Sequence, residues 1–289
     1  MAIKKEKAVK KYGICTVACA PIRARAEDSS EMISQLLFGE TFSLLTKKDK
    51  SWIKVECTYD GYVGWMDLKQ ATLLTEAEIK KHQANVSVST EVISFLINEK
   101  ISFPILLGSN LPGYDGMSFK MPANKYVFNG NAINPETQKV GIDFAIKIAK
   151  KYLNAPYLWG GRSPFGIDCS GFTQTIFKLL HIPIPRDAYQ QVALGQMVDF
   201  VESTQDGDLA FFDNAEGKII HVGIVLAGGE IIHASGKVRI DKLDHEGIFN
   251  RDTKKYTHKL RYIKRLLETK PPAHTPTEAI NVTLVRKKK

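Results

Sequence analysis

The chain has 289 residues, a formal net charge of +9 and 44% hydrophobic residues, which is the composition of an ordinary globular protein. Because one compact core rarely organises a chain of this length, we expect two or three domains. No apolar run approaches the roughly 20 residues that a membrane-spanning helix needs. The positive charge lies partly in lysine runs near both ends, and no nucleic-acid-reading motif accompanies it, so we expect no nucleic-acid partner.

Near the N-terminus, residues 12–68 form short apolar runs separated by glycine turns, which is typical of a small β barrel. Several pieces of this stretch resemble bacterial SH3-like domains: Arg23-Ala24-Arg25 before Ser30, Gly39-Glu40, Trp52-Ile53-Lys54-Val55 and Gly61-Tyr62-Val63-Gly64-Trp65. The sequence therefore predicts an SH3-like barrel over residues 1–74.

The next stretch, residues 75–136, has a less regular pattern. Thr75 followed by Glu78 is an N-cap signature and predicts a short helix from 75 to 84. Apolar runs and a turn-rich segment follow. They leave two interpretations open: a second, degenerate SH3-like barrel, or an irregular linker with a few strands.

From residue 140 the pattern becomes that of helices followed by strands. Residues 140–154 place apolar side chains on one helical face with lysines between them. Three β runs, GDLAFF, HVGIVLA and EIIHAS, come after the segment around Cys169. This order predicts an α+β domain over residues 137–268. Residues 269–289, rich in proline, threonine and lysine, are interpreted as a flexible basic tail.

The strongest chemical signal is Cys169, which follows a glycine-rich loop and starts the helical run CSGFTQTIFKLL. The unpaired amides and the dipole of a helix N-terminus favour an anion. We therefore expect the pKa of the Cys169 thiol to be lowered, and we expect the amides to serve as donors to an oxyanion. Cys169 is the candidate nucleophile.

A thiol nucleophile needs a base and a group that orients the base. His221 opens the run HVGIV and His233 lies in IIHAS, and a hairpin between them would bring the two side by side. We interpret His221 as the base and His233 as the residue that orients it. The alternative is a zinc site, but it would need a fourth ligand or an open water position, and we expect no metal.

Two groups of residues are expected to have no catalytic role. The remaining cysteines fit small buried hydrophobes: Cys15, Cys19 and Cys57. Three histidines lie in loop-like or polar contexts and are expected to be solvated: His181, His245 and His258.

The motifs of the last domain occur in a recognisable order: PYLWGG, the sequence Asp168-Cys169-Ser170-Gly171-Phe172, IPRDAYQQ, GDLAFF, HVGIV and IIHASG. From about residue 140 to 265 they resemble the NlpC/p60 family of cell-wall cysteine peptidases. The resemblance implies a papain-like fold, no cofactor, and a triad that matches Cys169, His221 and His233. It also implies that Tyr157 helps to polarise the carbonyl under attack.

With its SH3-like front end, the chain is similar to the γ-D-glutamyl-L-diamino acid endopeptidases of murein peptide recycling, which require a free N-terminal L-alanine. In that group the amine is held by residues beside the nucleophile and by the first SH3-like domain. The resemblance thus implies these substrate-binding residues: Asp168, Ser170, Tyr62, Glu31 (with Glu27 as the alternative acid) and Trp159. Ala188 departs from the pattern, because that group often carries a serine there.

The expected function is therefore hydrolysis of the γ-D-glutamyl–diamino acid bond of a murein-derived peptide, with diaminopimelate and lysine both open as the diamino acid. Two alternatives stay open: a non-catalytic protein that binds wall peptides, and an acyltransferase or amidase on the same fold. The lack of an apolar leader and the reduced cysteines favour the cytoplasm, with a periplasmic or secreted protein as the alternative. The sequence leaves the oligomeric state open.

Overall fold

Antiparallel strands build the first unit of the computed structural model, which describes residues 11–267. The sheet has the order β3-β2-β6-β5-β4-β1-β7. Its strands are β1 (Tyr12–Cys15), β2 (Cys19–Arg23), β3 (Met32–Leu37), β4 (Thr41–Lys47), β5 (Trp52–Cys57), β6 (Val63–Asp67) and β7 (Ala71–Leu74). In β5, Ile53 and Val55 are fully buried while Glu56 is exposed, as alternation along a half-buried strand requires. The predicted SH3-like domain is confirmed.

The second unit begins with helix α1 (Glu76–Gln83), where Thr75 and Glu78 form the predicted capping box. Two small sheets follow, with the orders β10-β9-β13-β12 and β11-β8-β14. Their strands are β8 (Val86–Ser89), β9 (Ile93–Ile97), β10 (Ser102–Leu106), β11 (Asn110–Pro112), β12 (Ser118–Lys120), β13 (Lys125–Phe128) and β14 (Ala132–Ile133). Phe38 of the first unit inserts among their aromatic rings, 5.7 Å from Phe103 between centroids. This stretch is therefore a folded unit with a shared core rather than an irregular linker.

The third unit packs helices against a seven-stranded sheet with the order β17-β23-β18-β19-β20-β21-β22, and β23 also pairs with β22. The helices are α2 (Ile142–Lys150), α3 (Cys169–Leu179) and α4 (Ala188–Gln191). Two short strands, β15 (Arg162–Ser163) and β16 (Gly166–Ile167), form a separate two-stranded sheet. The strands of the large sheet are β17 (Gln196–Met197), β18 (Leu209–Asp213), β19 (Ile219–Leu226), β20 (Glu230–Ser235), β21 (Lys237–Leu243), β22 (Gly247–Asn250) and β23 (Lys255–Arg265). The predicted α+β class is confirmed.

The main core of this unit lies between α3 and the sheet. Phe172 and Ile176 of α3 are fully buried against strand residues that include Leu209 and Ile224. Helix α2 ends at Lys150, four residues before the predicted end, and turns continue to Asn154, which has a φ of 68°. The predicted tail at 269–289 lies outside the described residues. Within residues 11–267 no helix is long and apolar enough to cross a membrane.

One buried charge network joins the three units. Glu40, in the turn after β3, accepts hydrogen bonds from Arg162 (2.7 and 3.0 Å) and Lys178 (2.8 Å) of the third unit. Lys178 also donates to the carbonyl of Gly108 in the second unit at 2.7 Å. Burial alone would raise the pKa of Glu40, but the charges of Arg162 and Lys178 lower it to about 2. The ionised carboxylate therefore holds the three units in contact.

Candidate active site

Cys169 is the first residue of α3, and the glycine-rich loop before it is packed too closely for side chains. Asp168 is the N-cap, and its carboxylate accepts a hydrogen bond from the amide of Gly171 at 2.7 Å. A Cβ at Gly171 would lie 2.4 Å from the carbonyl oxygen of Gly161, and Gly160 has a φ of 74°. These glycines let the loop fold back on the helix and place the thiol at the N-terminus of α3.

The environment of the thiol differs from the sequence-based expectation. Burial raises the pKa of Cys169 to about 12, and the charge of Asp168 adds to the effect. Backbone groups of Val222 and Ser170 and the charge of Arg186 oppose this increase. The predicted lowering of the pKa is therefore wrong for this structure, because desolvation outweighs the helix N-terminus. The resting nucleophile is a neutral thiol, which makes a base necessary.

The two predicted histidines form one hydrogen-bonded chain with an aspartate. The hairpin of β19 and β20 places His233 opposite Gly223, two residues after His221. Nε2 of His221 lies 2.9 Å from Nδ1 of His233, and Nε2 of His233 lies 3.1 Å from Asp241. Asp241 also accepts hydrogen bonds from the Arg239 side chain at 2.6 and 2.9 Å. Asp241 thus orients His233, which in turn orients His221.

This chain fixes which ring nitrogens carry protons. Burial alone would raise the pKa of Asp241, but hydrogen bonds from His233 and Arg239 hold it well below its usual range, so the carboxylate can only accept. Nε2 of His233 must then carry a proton, its Nδ1 must accept, and Nε2 of His221 must donate. Burial lowers the pKa of both histidines, so both rings are neutral. Nδ1 of His221 is left with the lone pair that a general base needs.

Strand β19 carries the base, His221, and also contacts the thiol of Cys169. A hydrogen bond from the backbone of Val222, the residue after His221, lowers the pKa of the Cys169 thiol. Within residues 11–267 no hydrogen bond joins Cys169 and His221. Proton transfer therefore requires the two side chains to come closer, since catalytic hydrogen bonds often form only with substrate bound.

The geometry of the histidine pair is that of a hydrogen bond rather than of two metal ligands. Nε2 of His221 donates to Nδ1 of His233, so the lone pair of His233 is already used and the two rings cannot both bind one ion. In the described part of the chain, no group of three or more histidine, cysteine, aspartate or glutamate side chains could hold a metal ion.

His258 is half-buried and contacts His221, whereas the sequence predicted a solvated side chain. Its ring stacks on His221, with centroids 4.2 Å apart and planes at 26°, and it lies edge-on to His233. Burial is the largest cause that lowers the pKa of His258 to about 4, and the proximity of His233 adds to it because two charged rings would repel each other. The residue reaches the site because β23 pairs with β22 and places His258 opposite Ile248.

A cavity of about 370 Å³ opens over the nucleophile between the first and third units. It is lined by all the predicted residues except the two histidines: Tyr157, Asp168, Cys169, Ser170, Tyr62, Glu31 and Trp159. His221 and His233 are buried behind this lining, at 5% and 1% exposure. Glu27, the alternative acid, does not line the cavity and pairs with Arg25 at 2.9 Å. The first unit is therefore a wall of the cavity rather than a separate module.

Asp168 lines the cavity, but its charge is compensated. Arg186 donates to both carboxylate oxygens, at 2.9 and 2.5 Å, and Gly160 donates its amide at 2.8 Å. Arg186 also donates to Ser170 at 2.9 Å and to Ser34 of the first unit at 3.1 Å. Asp168 thus holds the start of α3 against the first unit.

The acidic side chains with room for a ligand are elsewhere in the cavity. Glu31 is exposed and accepts a hydrogen bond from the indole of Trp159 at 2.7 Å. Asp187, which sequence reasoning did not single out, lies 3.3 Å from the hydroxyl of Tyr62. Burial raises the pKa of Asp187, and the charge of Arg186 opposes the increase. Lys218 also lines the cavity and brings a cation to it.

Comparison with known proteins agrees with this arrangement. Residues 154–257 match the family model described as NlpC/P60 family, and residues 22–70 match the bacterial dipeptidyl-peptidase SH3 domain. A Bacillus cereus protein named gamma-D-glutamyl-L-lysine dipeptidyl-peptidase is 31% identical, over 72% of this chain and 68% of that protein. A Bacillus subtilis protein of the same name is 34% identical, over 70% and 71%. The chain belongs to the NlpC/P60 family.

A solved structure extends the similarity to the whole fold of this NlpC/P60 peptidase. The crystal structure of an NlpC/P60 family protein from Bacillus cereus superposes with a TM-score of 0.75 and 26% sequence identity. The match covers 89% of this chain and all of the other. The protein is therefore a cysteine peptidase with an SH3-like N-terminal domain, as the motifs predicted.

The site residues can carry out both halves of such a reaction. In this arrangement Nδ1 of His221 can take the proton of Cys169, and the thiolate can attack the carbonyl to form a C–S bond. Burial raises the pKa of Tyr157, so its phenol stays protonated and can donate to the oxyanion. The imidazolium of His221, held by His233, can then give its proton to the leaving amine as the C–N bond breaks, and water can cleave the C–S bond of the thioester to release the acid and the free thiol.

Proposed function

We propose that this peptidase hydrolyses the γ-D-glutamyl–diamino acid bond of murein peptides that carry a free N-terminal L-alanine. The observation that carries the proposal is the wall that the first domain places across the cavity beside Cys169. That wall contributes Glu31 and Tyr62, and Asp187 lies against Tyr62. Carboxylates bind an ammonium group well and leave no compensation for a chain whose amine is already in an amide bond.

The other polar group of the cavity suits the next part of the same substrate. A glutamate linked through its γ-carboxyl keeps a free α-carboxylate next to the bond under attack. Lys218 lines the cavity together with Cys169 and is exposed. A cation at this point supports a γ-linked glutamyl residue over an ordinary peptide, in which that carboxylate would be absent. The names of the two Bacillus relatives support the same bond class.

The decisive experiment offers L-Ala-γ-D-Glu-diaminopimelate and its N-acetylated form to the purified protein and follows cleavage by mass spectrometry. We expect cleavage of the free peptide, and a loss of at least about tenfold in kcat/KM for the acetylated form, the value of one lost charge-assisted contact. Equal cleavage of both would contradict the amine requirement. Cleavage of neither would contradict the proposed substrate.

A matched pair of variants tests the acid. Glu31→Gln removes the carboxylate that faces the cavity, whereas Glu27→Gln removes one that lies outside it and pairs with Arg25. We expect Glu31→Gln to raise KM for the free peptide and to reduce the preference over the acetylated form, and Glu27→Gln to change neither. An unchanged preference in Glu31→Gln would remove Glu31 from the proposal.

A further inference from the structure

A second cavity, of about 460 Å³, lies on the other side of Ile220 from the catalytic cavity. Ile220 is 52% exposed and lines both cavities. The second cavity, called here the cationic cavity, is lined by the β18–β19 turn and by strand β23, including Asp213, Thr257, His258, Lys259 and Arg261. The two cavities therefore adjoin at the side chain of Ile220.

Its position relative to the general base fits the leaving side of the reaction. His221 must give its proton to the amine that departs, so the leaving residue has to lie beside that ring. His258 is stacked on His221 and at the same time lines the cationic cavity. The acyl part of the substrate fills the catalytic cavity, where Cys169 lies. The leaving residue is therefore directed past Ile220 toward the cationic cavity.

The charges of this cavity favour an anion. Lys259 and Arg261 project from β23 and both are exposed. Asp213 is the acidic residue of the lining, and it lies 3.6 Å from Arg261. Lys259 has no ion-pair partner among residues 11–267. The cationic cavity keeps an excess of positive charge at neutral pH because Lys259 and Arg261 face the single carboxylate of Asp213, while neutral His258 adds no charge.

We propose that the cationic cavity binds the leaving diamino acid through its carboxylates, with Lys259 and Arg261 as the contacts. This inference rests on the proposed function and names the diamino acid that it leaves open. Diaminopimelate carries a second carboxylate at its far end, whereas lysine ends in an ammonium group alone. The cavity therefore selects diaminopimelate over lysine.

The test compares kcat/KM for L-Ala-γ-D-Glu-diaminopimelate and L-Ala-γ-D-Glu-L-Lys. We expect the wild-type protein to prefer the diaminopimelate peptide by on the order of tenfold, the value of one well-placed charge pair. Lys259→Gln should reduce the preference and Lys259→Glu should reverse it, since the new carboxylate would pair with the ammonium of lysine. Arg261→Gln should also reduce it. Lys242→Gln, an exposed lysine of β21 outside both cavities, should leave the preference unchanged.

The outcomes separate this inference from the proposed function. Cleavage of both peptides with equal kcat/KM, or a preference that none of the Lys259 and Arg261 variants changes, would overturn the cationic cavity as the diamino acid site and leave the proposed function intact. Cleavage of neither peptide would overturn the proposed function, and this inference with it. Lys259 is exposed and lacks an ion pair in the described chain, so its variants test the proposal even if Arg261→Gln is unstable.

Discussion

The imidazole of His258 lies on the imidazole of His221, with ring centroids 4.2 Å apart and ring planes 26° from parallel. Phe212 lies 5.7 Å from His221 and 5.9 Å from His258 between centroids. The general base is therefore enclosed by rings, and burial is the largest cause of its lowered pKa. We interpret His258 as a positioning residue that shields His221 from water and holds its ring for transfer to Cys169.

Substitutions of His258 should show whether it acts on His221 by shielding its ring from water or by its own charge. His258→Ala opens one face of His221 to water, so the pKa of His221 should rise toward its usual value. We expect the acid limb of the kcat/KM profile to move to higher pH by on the order of one unit, with a lower kcat. His258→Phe keeps a flat ring in place, and its acid limb should stay where it is in the wild type. A purely structural role would lower the melting temperature without moving the acid limb in either variant.

Asp241 should matter for catalysis although it does not line the catalytic cavity. In Asp241→Asn the amide can donate to Nε2 of His233, so the proton of each ring moves to its other nitrogen. Nδ1 of His221 then carries a proton and can no longer accept one from the thiol. By analogy with other triads, we expect kcat to fall by about 10²- to 10⁴-fold with little change in KM. Asp252→Asn is the matched control, because Asp252 also pairs with Arg239 but does not contact His233. Equal activity of the two variants would refute the proposed proton order.

The thiol of Cys169 should behave as a neutral group in the free enzyme. Because its pKa is raised to about 12, we expect its alkylation by iodoacetamide to increase with pH above neutrality, without a plateau in the acid range. Mass spectrometry of the labelled peptide would locate the label, with Cys169→Ala as the blank. A plateau at acid pH would instead mean a stable thiolate–imidazolium pair. Cys169→Ala should abolish turnover and leave the unfolding curve close to that of the wild type.

Stability should fall in acid in two overlapping steps. The pKa of His258 is 6.5 in the unfolded chain and about 4 in the folded one, so between these values the unfolded state binds more protons and the free energy of unfolding falls as pH drops. The pKa of Glu40 falls from 4.5 to about 2 on folding, so its contribution is lost below pH 4.5. Urea unfolding measured from about pH 7 down to about pH 4 would test the first step. His258→Phe should make the slope shallower without abolishing it, because burial also lowers the pKa of His221 and His233. Stability that rises with acid would contradict the prediction.

Removal of the Glu40 carboxylate should destabilise the whole chain. Glu40→Gln leaves Arg162 and Lys178 buried without their counter-charge, which typically costs about 3–5 kcal/mol. Glu56→Gln, on an exposed face of β5, should change the free energy of unfolding by less than about 0.5 kcal/mol. Urea denaturation of both variants gives the comparison. A loss confined to the first domain would show as a separate early transition and would argue against a shared network.

The sequence predicted the residues that its local patterns single out. Cys169 at a helix start and the two histidines on paired strands could be identified because each lies in a short motif with its own spacing. Asp241 and His258 could not, since their roles depend on the pairing of β20 with β21 and of β22 with β23. Nothing near either residue in the sequence marks that register.

Charge pairs between residues far apart in the chain could not be predicted from the sequence either. Glu40 and Arg162 are 122 residues apart, and each is an ordinary charged residue beside a glycine in the sequence. The pKa of Cys169 was predicted in the wrong direction for a similar reason. A helix N-terminus can be inferred from local sequence, whereas the depth of burial that outweighs it depends on how the domains pack.

The wall that the first domain contributes to the catalytic cavity places part of the proposed amine selectivity on a different domain from the nucleophile. Glu31 and Tyr62 lie more than a hundred residues before Cys169, on a domain that supplies none of the groups that exchange protons or form the acyl bond. Under the proposed function, substitutions in that domain would alter which peptides are accepted while the nucleophile and its histidines stay as they are.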